Sequence, residues 1–115
     1  MKRYMALFVA APGSFEKWNA LEDTVRKDRE AKGMQAWHAW HEQHASIIVD
    51  AGGPLGKTKR TDANGVSDMT NPIGGYVIVQ AETHDAAARL FENHPHFTIL
   101  PGNAVEIMPC NEIPM

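Results

Sequence analysis

Two short segments of this chain are apolar on both of their alternating sets of positions, which restricts the possible folds more than any other feature. Residues 3–10 place Tyr4, Ala6 and Phe8 on one side and Met5, Leu7 and Val9 on the other. Residues 73–81 repeat the pattern, with Tyr76 and Ile78 against Val77 and Val79. A strand with one face in water alternates apolar with polar residues, so these two require cover on both faces.

Between them the spacing of apolar residues becomes helical. Pro12-Gly13-Ser14 ends the first strand, and Ser14 is placed to cap a helix. Phe15, Trp18, Leu21 and Val25 then recur at helical spacing to about residue 28. The charged run 26–32 reads as solvated, and Gly33 predicts a break. A second helix is expected from Met34 to about Ala45, with a stripe of Met34, Trp37, His41, His44 and Ile48 and with Trp40 beside it. Ser46–Val49 opens a second strand, which bends at Gly52-Gly53-Pro54 and continues through Leu55–Thr61. Residues 62–72 read as a loop, in which Asn64-Gly65 is the strongest turn signal. After the strand Ile73–Ala81, Thr83 caps a helix reaching Asn93, and Ala104–Met108 forms the last strand.

The order strand, helical region, strand, strand, helix, strand is that of an α+β fold, the ferredoxin-like split βαβ plan. It has a four-stranded antiparallel sheet with helices on one face. Helices on one face leave the other face of both two-sided strands bare. A second copy packed sheet to sheet covers it, so the expected assembly is a homodimer, a dimeric α+β barrel. A length of 115 residues fits a single domain, residues 1–115.

Composition narrows the function. Hydrophobic residues make up 43% and charged residues 22%, a globular balance, and a net charge of −3 argues against a nucleic-acid surface. The one basic cluster, Lys57, Lys59 and Arg60, alternates along a strand and reads as a solvated edge. Cys110 is the only cysteine, which excludes an internal disulfide and fits a reducing, cytoplasmic setting. The apolar run near the N-terminus spans only Tyr4–Ala11, far short of the roughly 18–20 residues of a membrane span, so no membrane partner is expected.

The groups able to do chemistry cluster between Trp37 and Gly56. His38, His41 and His44 follow one another at intervals of three, yet His38 and His44 lie about 120° apart around a helix. No HExxH motif or cysteine set accompanies them, so no metal is expected. His41 and His44 fall on the apolar stripe, where an imidazole must be hydrogen-bonded or face a cavity. Asp50 precedes Gly52-Gly53, where aspartate commonly bonds nearby amides; its functional alternative is to orient a histidine or act as a base. The glycine-rich segment 52–56 lacks the phosphate-loop pattern. His94 at the end of a helix can interact with its dipole without any further role. His96, between Pro95 and Pro101, is free to point into a cleft. Trp37 and Trp40 are core aromatics first and ligand-stacking walls second. No cofactor signature is present.

Several runs carry a family resemblance: MQAWHAW (34–40), VDAGGPLG (49–56), GYVIVQA (75–81), DAA (85–87), PHF (95–97) and AVEIMP (104–109). With them the chain resembles the Trp-x-x-Trp subgroup of the YCII-related, or DGPF-domain, family of small dimeric α+β barrel proteins. Residues 14–32 match least, and His41 and His44 stand where the subgroup is apolar. The resemblance implies a dimer and a histidine–aspartate pair in a cleft between helix and sheet. Here that pair would be Asp50 with His96 or with a histidine of the helix. Trp37, Trp40, His41, His44 and Tyr76 would surround a small organic ligand. The expected function is small-molecule binding, with acid–base catalysis by such a pair or a non-catalytic, regulatory binding module as the alternatives.

Overall fold

In the computed structural model, which describes residues 1–114, a four-stranded antiparallel sheet carries helices on one face. Its strands are β1 (Lys2–Val9), β2 (Ile48–Pro54), β5 (Ile73–Ala81) and β6 (Ala104–Pro109), in the order β2-β5-β1-β6. The helices are α1 (Ser14–Asn19), α2 (Asp23–Gln43), α3 (His84–Arg89) and the single turn α4 (Pro95–Thr98). A separate two-stranded hairpin, β3 (Thr58–Asp62) with β4 (Gly65–Met69), is inserted between β2 and β5. Without that hairpin, the chain follows the expected split βαβ plan.

The two-sided strands occupy the centre of the sheet. Leu7 is in register with Tyr76 and Met5 with Ile78. Tyr4, Ala6, Phe8, Val77 and Val79 are buried beneath the helices, where they meet Trp40, Ala87 and Phe91. Met5, Leu7, Tyr76 and Ile78 share the opposite face and are half-buried.

Several boundaries differ from expectation for identifiable reasons. The helical break falls at residues 20–22, and α2 runs unbroken through Gly33. Gly33 is buried, and a Cβ there would overlap the Leu100 side chain, so this glycine permits close packing instead of ending a helix. Trp40 is the buried side chain of α2, and Met34 is 50% exposed. Gly13 caps α1 without a side-chain bond, and Ser14 is the first helical residue. Thr83 caps α3 as expected, accepting from the Ala86 amide, but the helix stops at Arg89, and Asn93 takes a left-handed φ of 57°. The second strand ends at Pro54 and does not continue to residue 61. Part of the expected 62–72 loop is β4, and Asp62 and Gly65 pair across the turn that contains Asn64. Lys59 and Arg60 lie on this hairpin, exposed and ion-paired with Asp68 and Asp62.

β2 is irregular. Its register shifts between Ile48 and Asp50 and again between Asp50 and Gly53. Gly52 sits in the second bulge at φ 62°, and a Cβ on it would overlap the Tyr76 carbonyl. Only glycine accepts that backbone at that separation.

Candidate functional site

Where the C-terminal half of α2 passes over the end of the sheet, a cavity of about 330 Å³ opens. This volume is at the lower end of the range for small-ligand pockets. Phe8, Met34, Trp37 and Leu100 form apolar walls, and the Gly53-Pro54 and Gly74-Gly75 backbones border the sheet side. Among the lining residues, His96 brings a titratable side chain to the cavity, while Tyr76 borders it from the sheet with its own side chain on the opposite face.

His96 enters this wall because of the turn that carries it. Pro95 is the first residue of α4, where its fixed φ suits a helix start. The His96 ring then lies against Gly102, and any Cβ at residue 102 would overlap it. Its Nε2–H donates to the Val9 carbonyl at 2.8 Å. Burial lowers the basicity of His96, opposed by backbone bonds to Val9 and Ala104, so the ring favours its neutral form near pH 7.

The residue that sequence reasoning undervalued is His94. It is fully buried, with its ring centroid 4.8 Å from that of Trp37, 5.0 Å from Trp40 and 5.2 Å from Phe8. It does not sit at a helix C-terminus interacting with a dipole; it is the N-cap of α4. Its Nδ1 accepts the His96 backbone N–H at 3.0 Å, which places the ring proton on Nε2. That Nε2 has no hydrogen-bond partner among the described residues. Burial, reinforced by His96, His41 and His44, pushes the His94 pKa down to about 3. The sequence signal was His94-Pro95 itself, since a polar residue before a proline at the first helical position is a cap.

The other expected site residues separate into two groups. Trp37 and Tyr76 border the cavity with His96. Trp40 lies behind it in the core, its indole N–H donating to the Leu90 carbonyl at 3.1 Å. His44 donates from Nδ1 to the Trp40 carbonyl at 2.8 Å, closing the end of α2. His41 is half-buried beside Trp37 and Trp40, and burial together with His38 and His44 lowers its pKa. Asp50 is exposed, pairs in register with Ile78 and lies 3.4 Å from the Tyr76 hydroxyl, while its other oxygen accepts the Gly52 amide at 2.9 Å. It therefore sits on the sheet face opposite His96, and no hydrogen bond joins the two side chains among the described residues. Nor does any group of three or more His, Cys, Asp or Glu among these residues have a metal-holding arrangement. No described helix is long and apolar enough to cross a membrane.

No family model and no curated protein sequence matches this chain. Among solved structures it is similar to 5-chloro-2-hydroxyhydroquinone dehydrochlorinase (TftG) from Burkholderia phenoliruptrix AC1100, in complex with 2,5-dihydroxybenzoquinone. The two share 24% identity and superpose with a TM-score of 0.55 over 95% of this chain and 93% of that one. At that identity the likeness establishes a shared α+β fold.

Proposed function

We propose that this protein binds a small, flat, largely apolar organic molecule in the cavity between α2 and the sheet, with His96 as its polar contact. The observation that carries this reading is an apolar slot whose lining contains one imidazole and no Lys, Arg, Asp or Glu. Such a lining suits a ring compound and rejects a charged one, because an unpaired charge there would lose its hydration without compensation. The resemblance to the YCII-related family supports a small organic ligand, and the structural likeness to an enzyme solved with 2,5-dihydroxybenzoquinone supports a flat ring.

Catalysis is the second reading, favoured by the neutral imidazole of His96 in the wall. Its Nε2–H is committed to Val9, so proton transfer would pass through Nδ1, without Asp50 as a partner. A homodimer belongs to the same proposal: the second copy would cover the face bearing Met5, Leu7 and Ile78.

Calorimetric titration with phenol, a flat ring that is uncharged near pH 7, tests the binding claim. Saturable binding is expected, lost in Met34→Trp, where a larger ring on a half-exposed residue closes the cavity. Binding unaffected by that substitution, or none at millimolar ligand, would overturn the reading. Sedimentation at micromolar concentration tests the dimer: a mass of one 12.7 kDa chain would exclude it.

A further inference from the structure

We infer that His94 is a positioning residue for His96, holding its ring in the cavity wall by capping the turn that carries it. The inference rests on the reading that His96 faces the ligand.

α4 has four residues, too few to stand without fixed ends. Its start is fixed by His94 Nδ1, which accepts the His96 amide, and by the His94 carbonyl, which accepts from the Thr98 hydroxyl at 3.0 Å. At its far end the Gly102 amide donates to the His96 carbonyl at 3.0 Å. The backbone of His96 is thus held from both sides, which leaves its ring between Val9 and Gly102. Serine, threonine, aspartate and asparagine are the usual caps and would leave no buried ring nitrogen behind. The imidazole here leaves its Nε2–H unpartnered among the Phe8, Trp37, Trp40 and Phe91 rings. A group kept despite an orphaned donor meets a need that a smaller cap does not. His94 supplies an acceptor for His96 and, on the same ring, an edge-on packing surface for Trp37, the neighbouring cavity wall. One side chain therefore sets two walls of the site.

The test needs no ligand, so its failure is distinguishable from a failure of the binding titration. In 15N-labelled protein, a scalar coupling across the bond from the His96 amide to His94 Nδ1 is expected. The His96 Nε2–H signal should also exchange slowly with water. His94→Phe keeps a ring without an acceptor and should speed that exchange by roughly tenfold, the equivalent of one lost hydrogen bond. His94→Asn restores an acceptor and should return the His96 ring signals toward wild type. Should His94→Phe not fold, the wild-type coupling and the asparagine variant still decide. An absent coupling, or His96 ring signals unchanged in His94→Phe, would overturn the inference. So would a His94→Asn variant that loses the protected Nε2–H.

Discussion

Acidification should destabilise this protein through His94, by an amount that follows from its burial. The ring is neutral in the folded state, with its pKa pushed down to about 3, and in the unfolded chain it returns to the ordinary value of 6.5. Above pH 6.5 neither state holds the extra proton, and the full stability is present. Between 6.5 and 3 the unfolded chain is protonated and the folded one is not, so stability falls with pH at about 1.4 kcal/mol per unit. From about pH 7.5 to about pH 5, His94 alone therefore removes about 2 kcal/mol. That is a large share of the 5–15 kcal/mol typical of a small domain. His41 and His96, also lowered, act in the same direction. The assay is urea unfolding followed by tryptophan fluorescence at both pH values, at a fixed chain concentration so that any association is constant. Wild type is compared with His94→Asn. The variant has lower stability throughout, but its loss on acidification should be smaller than wild type's by about 2 kcal/mol. Titrating groups remote from His94 cancel in this difference. Equal losses in the two proteins would refute the placement of a neutral imidazole in the core.

Three substitutions test other parts of the structure. Gly33→Ala would gain about 1 kcal/mol in an ordinary helix interior, but here it should cost about 1–2 kcal/mol against Leu100. In a Leu100→Ala background the sign should reverse, which urea unfolding of both pairs would measure. Gly102→Ala should push the His96 ring off the Val9 carbonyl, visible as movement of the His96 ring signals and a loss of about 1–3 kcal/mol. Asp50→Asn should leave ligand affinity in the cavity unchanged, since its side chain lies on the other face. A loss of about tenfold in titration would return Asp50 to the site.

The central strands were legible because their pattern was simple. Ile73–Ala81 matches its expected bounds, and the two-sided pattern of β1 placed it correctly in mid-sheet. Thr83 was readable as a cap because it directly follows the strand and precedes the helical spacing of Ala87, Leu90 and Phe91. Gly33 was misread because sequence shows that a glycine weakens a helix but not that Leu100, 67 positions later, requires the space. The hairpin β3–β4 carried its turn signal in Asn64-Gly65, yet its strands are so polar that periodicity alone did not separate them from loop. At the site, His96, Trp37 and Tyr76 were identified and do border one cavity. The proposed Asp50–His96 pairing depended on which face Asp50 occupies. Two bulges in β2 make the face of each of its residues unreadable by alternation, and the register with Ile78 turns Asp50 away. The histidines of α2 were given too much weight because helical phase was counted from Met34, whereas packing centres on Trp40.

The most direct test is fluorine NMR of protein carrying 5-fluorotryptophan, titrated with phenol as a small flat ring. Trp37 borders the cavity, Trp40 stands behind it, and Trp18 lines the adjoining hollow on the far side of the Leu100–Gly102 wall. A saturable shift is predicted that is largest at Trp37 and smallest at Trp18, abolished by Met34→Trp. A Trp37 signal that stays fixed, or three signals that drift together without saturating, would contradict binding in the cavity.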